Sequence, residues 1–198
     1  MNISITGTLG SGKSSVCKIL KENGYDIISN GVLFREIAEE KGITVVELNE
    51  LAKKDKSIDD MLDERSIRLG KELDSTIFDS RMGWHFIPDS FKVFLLADMT
   101  EAGRRVYNDN RVSESYNDPA TAKADLIKRQ LMEKKRFSDL YQTDYLNLNN
   151  YDLVIESTYA TPDQIAEQIL KGVEEKVKSQ AKLNPKSLYP AEEAKDEG

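Results

Sequence analysis

Eight residues near the amino terminus, Gly7-Thr8-Leu9-Gly10-Ser11-Gly12-Lys13-Ser14, carry the G-x-x-x-x-G-K-[ST] spacing of a phosphate-binding loop. The residue types explain the chemistry. Glycines let the backbone fold round a phosphate chain with its N–H groups turned inward, and a helix amino terminus behind them adds partial positive charge. Lys13 would reach the β- and γ-phosphates of a triphosphate, and Ser14 would offer its hydroxyl to Mg²⁺.

A transfer between two phosphates needs little general-base help, because the attacking oxygen is already anionic. It does need cations that bring two polyanions together. Arg35 follows the turn Ser29-Asn30-Gly31, and Arg81 lies two residues beyond Asp79, so in extended chain the two point the same way. Between Arg104 and Arg136 stand nine basic residues, Arg105 and Arg111 among them, against five acids. Arg129 and Arg136 are seven apart and would share one helix face, about 10 Å from each other. That is the spacing of a lid gripping phosphates; the plainer reading is a solvated face with pairs such as Asp125 to Arg129. Asp79, at a strand end near Ser14, is expected to serve Mg²⁺ or its waters. Trp84 would either fill core or line the acceptor pocket. His85 is given no chemistry.

The elements that must position these groups are legible from pattern. Asn2–Thr6, Gly24–Ser29, Thr76–Phe78 ending in Asp79, Lys92–Ala97 and Tyr151–Glu156 are short apolar runs that predict strands. Helices are predicted behind the phosphate loop and over Val32–Glu40 after a turn at Asn30-Gly31. Further helices are predicted over Thr44–Lys53 with a Thr44/Glu47 capping box, Ser57–Leu73, Thr100–Asn108, Thr121–Leu140 and Thr161 to about Val177. Ser113–Pro119 reads as loop. Alternating strands and helices imply a five-stranded parallel sheet covered on both faces, a three-layer α/β architecture. The phosphate loop, Ser29-Asn30-Gly31, Asp79-Ser80-Arg81 and Asp98 each follow a strand, and would meet in one crevice beyond the carboxyl ends. One domain over residues 1–180 is expected, with a helical acceptor-binding insert at about 30–73 and a lid at about 108–140. Residues 181–198 read as a polar tail.

The composition narrows the function classes. The 198 residues carry a net charge of −7, the reverse of the basic excess of a dedicated nucleic-acid binder. No run approaches the roughly 18 apolar residues of a membrane span. The first strand is expected directly after Met1, leaving no room for a secretory leader. Cys17, the single cysteine, cannot form an internal disulfide and is expected to be a buried thiol. A cytoplasmic setting fits these features.

The combination resembles the P-loop nucleoside monophosphate kinases, closest to the cytidylate kinase-like group, from Asn2 to about Ile169. It rests on GTLGSGKSS at the phosphate loop, SNGVLFRE after the second strand, DSRMGW after the third, and KRQLMEKKRFSDLYQTDYLNLNNYDLVI through lid and last strand. The resemblance implies an ATP site on Gly7 through Ser15 with Arg105, and Mg²⁺ on Ser14 and Asp79. It implies an acceptor site on Ser29, Gly31, Arg35, Asp79, Arg81 and Trp84, and lid arginines, Arg129 and Arg136, that meet the transferring phosphates with Lys13. The implied acceptor is CMP or dCMP, with no nucleic acid or membrane partner. Val32, Ser80 and Asp98 depart from the group's usual residues, and Tyr107–Arg111 is less basic than its relatives, all on the acceptor and lid side. A kinase of another small acceptor on the same fold, or a nucleotide-binding module without turnover, remain the alternatives.

Overall fold

The computed structural model describes residues 1–109 and 116–183. Arg111, residues 113–115 of the expected loop and tail residues 184–198 lie outside them. Five strands form one all-parallel sheet in the order β2-β3-β1-β4-β5. They are β1 (Ile3–Gly7), β2 (Asp26–Ser29), β3 (Thr76–Asp79), β4 (Phe91–Leu96) and β5 (Leu153–Glu156). β1 is buried along its whole length, which its run of Ile3, Ile5 and small polar residues permits.

Strand alternation sorts the two faces. Ile3 and Ile5 turn one way and join Ile77, Val93 and Leu95. Helix α1 (Lys13–Glu22) covers that face with Val16, Cys17 and Leu20, and the last helix, α8 (Pro162–Leu183), covers it with Ile165, Ile169 and Val173. Ser4 and Thr6 turn the other way, in register with Phe78 and Phe94. There the short helix α5 (Gly83–Phe86) presses Gly83 near Ser4, and the Tyr151 ring packs tilted against Phe94, with ring centroids 4.9 Å apart. The parallel, three-layer expectation is met.

Two helical excursions leave this sandwich. The first comprises α2 (Asn30–Glu40), α3 (Val45–Ala52) and α4 (Ser57–Glu72). It has its own apolar centre of Ile37, Ala38, Leu48 and Ile58. The Thr44/Glu47 capping box forms in full. The second pairs α6 (Met99–Asn108) with α7 (Pro119–Tyr141) around Ala97, Ala102, Val106 and Leu126. Leu9 of the phosphate loop packs against this centre, so the loop and the base of α7 share apolar contacts.

Besides shifts of one or two residues at strand ends, the helices differ from the sequence expectation. Asn30-Gly31 opens α2 instead of preceding it, because Ser29 caps the helix, its Oγ accepting from Val32 N–H at 3.2 Å. Pro119 is the first residue of α7 and not loop: Asp118 accepts from Thr121 N–H at 2.7 Å, and proline suits a position whose N–H is unused. Helix α5 has no counterpart in the periodicity; four residues are too few to show one. Helix α8 runs to Leu183, taking in the first residues assigned to the tail.

Candidate active site

The phosphate loop joins β1 to α1 at the carboxyl edge of the sheet. Gly10 and Gly12 sit at φ +76° and +86°, the left-handed region that glycine enters without penalty. Gly12 is the residue before α1, and no side chain caps that helix; the Ser15 N–H turns back to Gly12 O at 3.0 Å, and the N–H groups ahead of it are of the kind that suits an anion. Thr8 anchors the loop: its N–H donates to Leu95 O at 2.9 Å, and its Oγ1 accepts from Ala97 N–H at 3.0 Å. The Ser11 hydroxyl is buried and has no hydrogen-bond partner. A cavity of about 660 Å³ opens over the loop, lined by residues 8–16 together with Arg81, Arg104, Arg105 and Ser157.

Strand register brings the distant pieces together. Ser29 pairs with Asp79 across β2 and β3, and Asp79 pairs with Ile5 across β3 and β1. The Asp79 carboxylate lies 3.5 Å from Lys13 Nζ. Burial depresses the lysine's proton affinity; Asp79 pushes it back up, and the nearby Arg81 charge pushes it down again. Arg81 spans two elements: Nη1 donates to Gly7 O at 3.1 Å, and Nε donates to Glu133 Oε2 on α7 at 2.8 Å. Two cations therefore flank the phosphate loop, each held by one carboxylate. Cys17, just behind, is buried as expected, and its thiol is pushed up to about 12 by burial, with Asp79 adding to the effect.

Other expected site residues stand further out. Ser29 is occupied as the cap of α2, while Gly31 and Arg35 are exposed on its first turns, Arg35 beside Gly31. Trp84 packs on Tyr151 and His85, at centroid distances of 5.9 and 5.4 Å. Its indole N–H is buried without a partner. Arg105 lines the cavity, but its guanidinium braces the backbone, donating to Ser157 O at 2.9 Å, Thr158 O at 2.6 Å and Gly10 O at 3.4 Å. Asp98 caps α6, accepting from the N–H groups of Thr100 and Glu101. It is not among the residues that line the loop cavity.

The structure does not bring Arg129 and Arg136 to the loop cavity. Arg129 lies 3.9 Å from Asp125, the intrahelical pair that the plainer reading anticipates. Arg136 sits on Asp59 of α4, through Nη2 at 2.6 and 2.8 Å. Sequence reasoning passed over Glu133 and Arg104. Glu133 had a signal, since Arg129, Glu133 and Arg136 follow i, i+4, i+7 spacing on one helix face. Arg104, on α6, stood in the basic count with nothing to single it out.

Comparison with known proteins agrees with this geometry. The cytidylate kinase-like family matches residues 2–159. A cytidylate kinase of Sulfolobus acidocaldarius is 35% identical over 174 residues, covering 86% of this chain and 92% of that protein. One from Halobacterium salinarum is 32% identical over 177 residues, 88% of this chain and 90% of its own length. Among solved structures, shikimate kinase from Bacteroides thetaiotaomicron has the same fold at TM-score 0.57 and 15% identity, covering 90% of this chain and 98% of the other. The phosphate loop, the parallel sheet beneath it and this match over most of the chain lead to one conclusion: the protein belongs to the cytidylate kinase-like family, among the P-loop nucleoside monophosphate kinases.

Proposed function

We propose that the protein transfers the γ-phosphoryl group of ATP to the phosphate of CMP, or of dCMP, releasing ADP and the diphosphate. An oxygen of the monophosphate attacks the γ-phosphorus, the bond from that phosphorus to the β,γ-bridging oxygen breaks, and ADP leaves with the electron pair. The observation that carries this reading is that Lys13, beside Asp79, and Arg81, on Gly7 O, line one cavity over a loop whose helix has no side-chain cap. The loop N–H groups and Lys13 would hold the donor phosphates. Arg81 and Arg35, with Ser29, Gly31 and Trp84 around them, would hold the acceptor. Arg129 and Arg136 would reach the transferring group only after α7 moves, which would also shut out water.

The donor set suits Mg²⁺. The Ser14 hydroxyl and the Asp79 carboxylate are hard oxygens, the kind this ion takes alongside waters and substrate phosphates. Among the described residues no three of His, Cys, Asp and Glu gather into a protein-only metal site. Bound there, Mg²⁺ would neutralise charge on the β- and γ-phosphates. Among the same residues no helix is long and apolar enough to cross a membrane.

A panel of monophosphates and of non-nucleotide acceptors, read by ADP release, tests the reading. CMP is expected to give the highest kcat/KM. A non-nucleotide acceptor preferred over every monophosphate would replace it, and tight ATP binding without turnover on any acceptor would end it. Lys13→Ala should lose transfer roughly 10²–10³-fold or more while remaining folded.

A further inference from the structure

We infer that Glu133 is a positioning residue for the acceptor phosphate, acting through Arg81; the inference rests on the acceptor-site reading of Arg81 given above. A guanidinium has five N–H donors. Arg81 commits Nε to Glu133 and one Nη1 hydrogen to Gly7 O. These two bonds pin the group from α7 on one side and from the phosphate loop on the other. The outer edge of the fork, Nη2 and the remaining Nη1 hydrogen, is left for a phosphate. An arginine held this way meets an incoming dianion without first ordering its own rotamers.

Glu133 is itself held. Tyr145 donates to the same Oε2 at 3.4 Å; this tyrosine is 1% exposed, and its backbone oxygen accepts from Tyr151 O–H at 2.6 Å. The chain of contacts therefore runs from the sheet face through Tyr151 and Tyr145 to Glu133, Arg81 and Gly7. Charge adds a second reason for a carboxylate here. Arg81 stands close enough to Lys13 to disfavour the lysine's charge, and Glu133 pairs with Arg81 as Asp79 pairs with Lys13, so each cation has its own counter-ion.

Kinetics of Glu133→Ala, Glu133→Gln, Arg81→Ala and the Glu133→Ala/Arg81→Ala pair test this on the full chain, with CMP as acceptor. Glu133→Ala is expected to raise the CMP KM about tenfold, the scale of losing a hydrogen bond to a charged group, with the ATP KM unchanged. Glu133→Gln, whose amide oxygen still accepts from Nε–H, should recover most of that. The double variant should be no worse than Arg81→Ala, because the second change removes only what acts through the first. Additive losses, or wild-type behaviour of Glu133→Ala, overturn the inference. A parallel reading does not depend on the acceptor: the Arg81 ¹⁵Nε–H resonance, assigned by its loss in Arg81→Lys, should be slow to exchange and should vanish into the bulk signal in Glu133→Ala. If the wild type phosphorylates no monophosphate, the acceptor reading fails while this resonance still decides whether Glu133 holds Arg81. An Arg81 Nε–H that exchanges equally fast in both proteins overturns it.

Discussion

The Arg136 guanidinium rests on the Asp59 carboxylate, with Nη2 at 2.6 and 2.8 Å from its two oxygens. One turn along α4, Asp63 accepts from Tyr141 O–H at 2.8 Å, so the carboxyl half of α7 is fastened to α4 at two points. An arginine expected over the phosphates is thus parked on the neighbouring helical excursion. If Arg136 must leave Asp59 to reach nucleotide, the pair opposes closure. Asp59→Asn should then lower the nucleotide KM about two- to fivefold, the range set by a partly exposed ion pair, with stability changed by no more than about 1 kcal/mol. Steady-state kinetics and a melting curve check both. A raised KM would show that the pair belongs to the working state.

Gly10 and Gly12 predict different penalties from similar backbone angles. A Cβ on Gly10 would stand 2.8 Å from the Ala102 Cβ at φ +76°, so Gly10→Ala strains the backbone and pushes the loop off α6. At Gly12, φ is +86° but nothing lies within 4 Å. Gly12→Ala should cost about 1 kcal/mol of stability from its backbone alone, and Gly10→Ala about 2–3 kcal/mol. Nucleotide affinity should fall in both, and at Gly12 by more than stability suggests, because the open space is where a phosphate would sit. Chemical denaturation with calorimetric ATP titration separates the two quantities.

The sheet and phosphate loop were readable in the sequence because their signals are local: short apolar runs, a fixed glycine spacing, Thr44 three residues before Glu47. The pairing of Asp79 with Lys13 was half readable, since both had been placed beyond strand ends and register alone brings them together. Long-range choices among charges were not. Arg136 had several acids within reach of any plausible fold, and nothing in a one-dimensional pattern selects Asp59, 77 residues away. The same holds for Glu133 and Arg81, 52 residues apart. Arg105, expected at the ATP site, lines the cavity over the loop, yet its donors also go to the backbone carbonyls of Ser157 and Thr158, 52 and 53 residues away, which no local pattern announces.

Cys17 offers a probe of the loop's integrity. Burial and the nearby Asp79 charge push the thiol up to about 12, so the nucleophilic thiolate is scarce at ordinary pH. The native protein should resist iodoacetamide at pH 8 over hours and label fully in denaturant. ATP should slow any residual labelling if opening of α1 exposes the thiol. Rapid labelling of folded protein would mean that the helix behind the phosphate loop opens readily.

Asp63 makes a contribution to the pH dependence opposite in sign to that of the carboxylates held by hydrogen bonds, such as Glu47 and Asp98. Burial raises its carboxyl to about 6 against the opposing effect of the Tyr141 hydrogen bond, with the charges of Asp59 and Asp60 adding to the rise and Arg136 opposing it. The folded state therefore binds this proton more tightly than the unfolded chain, where an aspartate titrates near 3.9. Between those values the folded state carries the extra proton, so stability from this group is fully present below about 4 and is lost as pH rises through about 6. Asp63→Asn, neutral at every pH and still able to accept from Tyr141, should leave the melting temperature unchanged near pH 4 and raise it above wild type at pH 7 and beyond. Melting curves of the two proteins across pH 4–8 test this. Parallel curves would place the carboxylate in a solvated setting, and a wild type more stable than the variant at pH 7 would mean that Arg136 outweighs burial there.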